Sequence, residues 1–405
     1  MVIANALICD AHSQLTGDVR IKDGVIVEIG DSLTDDEMID GSGCYLLPGL
    51  VDTNVSLKDG QLNGKNLTSL AITALAGGVS TVVLASDVTP KIDNEITLEF
   101  IHQHRHTKEG AVIESSISAL NDTGTLSNIA ILLKKGACSV SLSTLCDYNL
   151  ISRIAQYLQM NKKPLFYTSV DQSLFESGVM ADGAVASELG LSGISPLSEV
   201  VHVASMIEVA RHFGIKIVFK SITEPRSIEL ISDAMALGID VMCEISLHHL
   251  LKNDSACMGY DSDAKINPPL VNEEKRKYLI DALKEGKIHS LSALHQPNSD
   301  IHKDITFNDA SFGTTSIGEY LPLCYTYLIK NEIISMSRLI ELASKNPAQA
   351  IGMRRGIIDV GLSADLILFN PNSMTQVTHH HSLYKNELLQ GRVMMAIQGN
   401  QITRF

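Results

Sequence analysis

The 405-residue chain has no tryptophan, few aromatic residues (5%) and no apolar run of about 18 residues, the length needed to span a membrane. Its seven cysteines are scattered and form no Cys-X-X-Cys pair, so neither a disulfide framework nor a cysteine zinc site is indicated. The first residues, MVIANALICDAHSQ, lack a basic segment followed by an apolar one. We therefore expect no membrane span, no secretory signal, and reduced thiols in a cytoplasmic protein.

Positive charge is also scarce. The chain has 32 Lys and Arg residues against 46 Asp and Glu residues, which gives a formal net charge of −14. This balance disfavours nucleic acid and anionic membrane surfaces as partners, and we expect neither. The hydrophobic content of 45% is typical of a globular protein, and the length suffices for one large and one small domain.

The two ends of the chain, residues 1–46 and 355–405, are both typical of short strands with tight turns. Asp23-Gly24 separates two alternating apolar runs, a strong β-hairpin signal, and Gly399-Asn400 predicts another turn. We expect the ends to form one module, a small β-sandwich domain built from both termini.

Residues 47–354 have a different rhythm, in which short apolar runs alternate with segments of helical period. This alternation favours parallel βα units, and the length fits an α/β fold of the (β/α)8 TIM barrel type. The predicted strand runs after the first are GGVSTVVLAS (77–86), GACSVSLST (136–144), KPLFYTSV (163–170), GIKIVFKS (214–221), GIDVMCEIS (238–246) and KIHSLSALH (287–295).

In such a barrel the chemistry lies at the carboxyl ends of the strands. The first strand, in LPGLVDTNVSLKDG (47–60), ends with Asn54 and Ser56 on one face, where many barrel enzymes place a His-X-His metal clamp. Later strand ends offer Thr168, Ser221 and Leu294. Amides, hydroxyls and leucine make a poor site for Zn²⁺, so the residues alone predict no metal centre.

Several collinear segments resemble those of dihydroorotases in the cyclic amidohydrolase superfamily, over essentially the whole chain. They are LPGLVDTNVSLKDG, GGVSTVV, ISLHHLLKND, KINPPLV, FGTTSIGEYLPLCYT, NPAQAIGM and RGIIDVGLSADLILFNP. The resemblance implies a zinc-dependent barrel joined to a small β-sandwich made from both termini.

The departures from the family pattern concern its metal ligands. The family His-X-His becomes Asn54 and Ser56, and two further ligand histidines become Thr168 and Ser221. The resemblance aligns an Asp-Asp-Gly ligand segment with residues 142–144, Leu-Ser-Thr. It also places Leu294 at the aspartate that serves as ligand and general base, and leucine can neither bind a metal nor accept a proton. We expect the family zinc site to be lost and no cofactor to be bound.

The substrate pocket implied by the resemblance is altered too. Lys58 replaces the arginine that grips the substrate carboxylate, Asp87 replaces a pocket asparagine, and Asn298 replaces a histidine. Three family residues persist at strand ends, namely Asp52, Asn267 and His295. The altered positions and these three together form the predicted vestigial pocket.

Two histidine-rich segments lie apart from this pocket. IHQHRHTKEG (101–110) follows a helical pattern, and residues two apart on a helix face different sides. THHHSL (378–383) is internal, and a polar loop is the expectation. Neither is predicted to bind metal functionally.

Two functions follow as hypotheses. The first is a pseudoenzyme, resembling the non-catalytic dihydroorotase homologues that associate with the aspartate transcarbamoylase catalytic chain in pyrimidine synthesis, as a homodimer or hetero-oligomer. The second is an active cyclic amidohydrolase with an unusual or metal-free site, in which His295 alone would serve as base. A small-molecule sensor that uses the vestigial pocket is a third possibility, although no residue points to a ligand.

Overall fold

The computed structural model of the chain describes residues 1–143, 147–175 and 177–405, so Thr144 of the predicted ligand segment lies outside the described part. In chain order the strands are β1 (Val2–Cys9), β2 (Gln14–Lys22), β3 (Val25–Gly30), β4 (Met38–Asp40), β5 (Tyr45–Pro48), β6 (Leu50–Val55), β7 (Val79–Leu84), β8 (Val112–Ser118), β9 (Ser139–Leu142), β10 (Leu165–Thr168), β11 (Met180–Ala181), β12 (Gly193–Ile194), β13 (Ile217–Lys220), β14 (Val241–Ser246), β15 (Ser290–Ser292), β16 (Asp365–Gln376), β17 (Leu388–Gln398) and β18 (Gln401–Arg404). The α-helices are α1 (Gly64–Ala76), α2 (Glu95–Gln103), α3 (Ile129–Lys134), α4 (Tyr148–Asn161), α5 (Gln172–Phe175), α6 (Ala184–Leu189), α7 (Leu197–Phe213), α8 (Pro225–Ala236), α9 (Leu247–Leu251), α10 (Glu273–Lys284), α11 (Asp300–Lys303), α12 (Tyr320–Cys324), α13 (Met336–Ile340) and α14 (Asn346–Ala350).

Eight parallel strands form a nearly closed barrel in the order β15-β14-β13-β10-β9-β8-β7-β6. The ring is completed where Val55 bridges to His295 and the Ser56 N–H donates to the His295 carbonyl at 2.8 Å. All six residues of β7 are buried, as expected for a parallel strand covered on both faces. The predicted (β/α)8 fold is confirmed.

Helices from the intervals between the strands pack on this barrel. On α1, the buried residues Leu67, Leu70 and Ala71 belong to the same hydrophobic core as the strands. Within the described residues, no helix combines the length and the hydrophobicity that a membrane span requires.

Strands from both termini form a second sheet, in the order β18-β17-β16-β5-β1-β2-β3 with β4 beside β1. The predicted hairpin joins β2 to β3, and Asp23 and Gly24 both have positive φ, as a type I′ turn requires. This sheet has its own core, which includes Ile8, Leu46 and Leu366. The joint module from both termini is confirmed, while the boundaries at 46/47 and 354/355 stay a prediction.

The two modules meet at Gly49, which lies between β5 and β6. Its N–H donates to the Asp365 carbonyl at 2.9 Å, and its own carbonyl accepts from the Ser344 hydroxyl at 2.7 Å. Ser80 donates to the Asp365 carboxylate at 2.8 Å. A Cβ at position 49 would lie 2.1 Å from the Ser80 Oγ, so only glycine fits here.

The Gly49→Ala substitution should lower the free energy of unfolding by about 1–3 kcal/mol, the usual cost of overpacking a filled site. Urea-induced unfolding measures the change. Gly30→Ala is the control, because its Cβ would meet only one side-chain atom at 3.9 Å, and its effect should stay within about 0.5 kcal/mol. Equal stability of the two variants would contradict the close packing at this junction.

Candidate functional site

A cavity of about 470 Å³ opens at the carboxyl ends of the barrel strands. The structure brings most of the predicted pocket together on its wall, as Asn54, Ser56, Asp87, Thr168, Ser221, Asn267, Leu294 and His295. The other three predicted residues lie elsewhere: Asp52 is buried beneath the strand end, and Lys58 and Asn298 line a neighbouring cavity.

A buried ion pair lies at the floor of the cavity. The β13 and β14 register pairs Phe219 with Cys243, so the next residues, Lys220 and Glu244, are neighbours inside the barrel. The Lys220 Nζ lies 2.7 Å from the Glu244 Oε2, and Nζ also lies 4.6 Å from the centre of the Phe166 ring below it. The lysine and the glutamate are both buried, which makes each the counter-ion the other requires.

Three side chains donate hydrogen bonds to the Glu244 carboxylate. Oε2 accepts from Lys220 and, at 2.8 Å, from the Thr53 hydroxyl, while Oε1 accepts from the Asn54 amide at 2.9 Å. The same amide donates to the Ser221 hydroxyl at 2.9 Å. Thus Asn54, at a predicted family ligand position, has become a hydrogen-bond donor to a carboxylate.

The predicted ligand positions described here do not fit a zinc ion. Asn54, Ser56, Thr168 and Ser221 offer an amide and hydroxyls, and Leu294 offers no donor, whereas Zn²⁺ prefers imidazole, thiolate and carboxylate. The nearby Glu244 carboxylate is already engaged by its three donors.

Two of these positions keep an unusual backbone. Ser221 (φ 51°) and Leu294 (φ 45°) both adopt the left-handed region, Ser221 just after β13 and Leu294 just after β15. Non-glycine residues are uncommon there, and such conformations cluster at functional sites. Two uncommon backbone positions therefore border the cavity, although neither the Ser221 hydroxyl nor the Leu294 side chain is a ligand that Zn²⁺ prefers.

The Asp52 carboxylate links the first and last strands of the barrel by hydrogen bonds. Its carboxylate accepts from the Asn54 N–H at 2.8 Å and from the Ala293 N–H at 2.7 Å. Burial raises the pKa of Asp52 to about 6, although these two hydrogen bonds oppose the rise. The retained aspartate has a structural role that needs no substrate.

His295 is held in one orientation by the backbone. Its Nδ1 accepts from the Ser316 N–H at 3.1 Å and from the Ile317 N–H at 3.3 Å. Both bonds need a lone pair on Nδ1, so the proton lies on Nε2. Burial lowers the pKa of His295 to about 3, and the ring therefore presents a neutral N–H donor rather than a base.

Asp87 makes one corner of the cavity acidic. Its carboxylate accepts from the Ser143 hydroxyl at 2.6 Å and from the Ser86 hydroxyl at 3.3 Å. Lys58, which the resemblance assigns to gripping a carboxylate, lines the neighbouring cavity and not this one. The predicted substrate-binding pair is therefore divided between two cavities.

Sequence reasoning missed Lys220, Glu244 and Thr53. The available signal was a single charge within each of two otherwise apolar strand runs, IVFK and VMCEIS. Charges of opposite sign at matching places on neighbouring strands indicate a buried pair, because an unpaired ion would be expelled.

Lys220→Met should lower the free energy of unfolding by about 3–5 kcal/mol, since it leaves the Glu244 carboxylate buried without a counter-ion. The double variant Lys220→Met/Glu244→Gln removes both charges and should recover a large part of that loss. Urea-induced unfolding of both single variants and the double variant forms a double-mutant cycle. Strictly additive effects would show that the two side chains are not coupled.

Comparison with known proteins gives the same family from several directions. The Amidohydrolase family pattern matches residues 196–392. A dihydroorotase of Caldanaerobacter subterraneus subsp. tengcongensis is 30% identical over 92% of this chain and 88% of its own length. A dihydroorotase of Clostridioides difficile is 31% identical over 99% of both chains. A dihydroorotase-like protein of Pseudomonas aeruginosa is 28% identical over 99% of this chain and 98% of its own.

Solved structures agree on the fold. The L-hydantoinase (dihydropyrimidinase) of Arthrobacter aurescens superposes with a TM-score of 0.88 at 18% identity, covering 100% of this chain and 95% of that one. The D-hydantoinase (dihydropyrimidinase) of a Thermus species gives 0.85 at 18% identity, covering 99% and 94%. At such identities the likeness concerns the fold alone. The family pattern and the sequence relatives show that this chain belongs to the amidohydrolase family, as a dihydroorotase-like member.

Proposed function

We propose that this chain is a catalytically inactive, dihydroorotase-like subunit that acts as a structural partner of the aspartate transcarbamoylase catalytic chain in de novo pyrimidine biosynthesis. The observation that carries the proposal is the closed network around Glu244. Its carboxylate is fully engaged by Lys220, Thr53 and Asn54 beside the positions where the family resemblance places metal ligands.

Hydrolysis of a cyclic amide needs an activated water and a group that takes its proton. Leu294 occupies the place that the resemblance assigns to the base. His295 lies on the cavity wall, but its Nδ1 lone pair is engaged by two backbone N–H groups. Neither group supports proton abstraction.

The proposal of a structural partner is supported by the parts of the barrel that have a structural role. Asp52 joins the first and last strands, and Ser221 and Leu294 have left-handed backbone conformations at the cavity. A barrel that keeps its frame while its chemical groups change is what selection on folding and surface would leave. The resemblance to non-catalytic dihydroorotase homologues supports aspartate transcarbamoylase as the partner, in a hetero-oligomer that can include a dimer of this chain. The near full-length match to a protein named dihydroorotase-like is consistent with it.

The alternative is an active cyclic amidohydrolase with an unusual or metal-free site. Its support is the polar wall formed by Asn54, Ser56, Thr168 and Ser221, which could hold a small polar ring. It requires His295 to accept a proton during the reaction, so the protonation state of this one residue separates the two functions.

In nuclear magnetic resonance spectra that correlate the ring nitrogens and carbons, His295 should be neutral with its proton on Nε2 down to about pH 4, because burial lowers its pKa to about 3. The unfolded chain, with a histidine pKa of about 6.5, takes up this proton first. His295 therefore makes the folded state progressively less favourable as the pH falls below about 6.5. Titration of the ring near pH 6.5, or a proton on Nδ1, would favour the active enzyme.

Co-expression with the aspartate transcarbamoylase catalytic chain of the same organism should give a complex that co-purifies, and the transcarbamoylase alone should be smaller or less active. Size-exclusion chromatography with light scattering and a transcarbamoylase assay measure both properties. The cavity variant Thr168→Ala is the control, and it should assemble as the wild type does because the proposed role does not use the cavity. A transcarbamoylase that is fully assembled and active without this chain would contradict the proposal.

A further inference from the structure

A second cavity, of about 370 Å³, lies beside the first and shares Ser56 and His295 with it. One wall is the loop between β16 and β17, which carries three consecutive histidines at positions 379–381. The loop expected from the sequence is present, but His381 is only 6% exposed. A buried imidazole in a polar loop requires partners, and the structure supplies them.

Three donor atoms converge at this loop. The His381 Nε2 lies 3.3 Å from the His380 Nδ1 and 3.0 Å from the Asp300 Oδ1, and the three atoms lie within 4.8 Å of one another. Two donors bound at 2.0–2.1 Å to one tetrahedral zinc ion lie about 3.3 Å apart. The two separations from the His381 Nε2 are close to this value, and the third is no more than 4.8 Å, so the three atoms can converge on a single ion.

Asp263 orients the central imidazole. Its Oδ1 lies 2.9 Å from the His381 Nδ1, so in a metal-bound ring that nitrogen would carry the proton and donate it to the carboxylate. The Nε2 lone pair would then be available to an ion held between His380 and Asp300. A carboxylate on the far nitrogen of a histidine is the usual support of a metal-binding imidazole.

We propose that Asp300, His380 and His381 bind one divalent ion of the zinc class, with Asp263 as the positioning residue. Two imidazoles and a carboxylate form a donor set that Zn²⁺ accepts, and all three ligands lie on the wall of the second cavity. The fourth position is left for water or an anionic group from that cavity. The ion would tie the loop between β16 and β17 to α11, while Asp263, in the segment between α9 and α10, holds the His381 ring.

This site is separate from the family position and does not depend on the proposed function. None of its three ligands lines the first cavity. The neighbouring His379 is not a ligand, because its Nε2 faces the Glu319 carboxylate at 3.4 Å. His379 therefore provides a matched control within the same loop.

The competing account is a charged His381 ring that pairs with Asp263 and Asp300 and binds no ion. Such a pairing does not need His380, whereas a metal site does. Because His380 and Asp300 are exposed, they can be substituted without disturbing the core.

The test uses the full chain, produced without a histidine tag and freed of metal with a chelator that is then removed. Zn²⁺ binding is measured by isothermal titration calorimetry, and added Co²⁺ is followed by its ligand-field absorption. We expect one ion per chain, bound with an affinity that His380→Ala and Asp300→Asn each weaken by more than about 100-fold. Asp263→Asn should weaken it by about 10–100-fold, as is typical of a residue that supports a ligand.

The control His379→Ala should bind as the wild type does. The proposal is overturned if the chain binds no stoichiometric Zn²⁺, or if binding persists in both His380→Ala and Asp300→Asn. It is equally overturned if His379→Ala weakens binding as much as His380→Ala, because the loop would then be an unspecific chelator.

Discussion

Moving an ammonium and a carboxylate from water into the interior of a barrel costs several kcal/mol per ion, so both must find partners for their charges and hydrogen bonds. Lys220 and Glu244 meet this condition inside the barrel, and they draw Thr53 and Asn54 into the same network. The arrangement of side chains at the floor of the cavity is therefore determined by this buried ion pair. Each oxygen of the Glu244 carboxylate accepts at least one hydrogen bond from these partners.

Around this pair, backbone conformations and side-chain-to-backbone hydrogen bonds hold the ends of the barrel strands in place. Asp52 holds the first and last strands together, and Ser221 and Leu294 retain left-handed backbone conformations that leucine and serine do not favour. His295 supports the turn at residues 316 and 317 through its Nδ1. Asp52 and His295, which the resemblance identifies as family residues, thus both have structural partners within the barrel.

Much of this architecture could be predicted from the sequence because its signals are local. The apolar runs identified most barrel strands, and Asp23-Gly24 identified its turn. The strand β8 was not predicted, because four of the seven residues of VIESSIS are serine or glutamate. It is nonetheless buried, with Glu114 paired to Arg105 and Ser116 bonded to Ser141. Such partners belong to other segments, and no local pattern reveals them.

The candidate sites show the same limit. The predicted loss of the family ligands rests on single residues compared with the family pattern, whereas the Lys220–Glu244 pair depends on strand register. The burial of His381 depends on Asp263 and Asp300, which lie 118 and 81 residues away in the chain. The sequence therefore predicts most of the residues that line the first cavity, and the structure is needed to show which partners they and the buried charges have.

The central claim is that the first cavity performs no hydrolysis, and the most direct test is the rate of dihydroorotate opening and closure by the purified chain with excess Zn²⁺. An active dihydroorotase assayed in parallel provides the positive control. The account predicts no rate above that of Zn²⁺ and buffer alone. Turnover that scales with protein concentration and is lost in His295→Ala would contradict it.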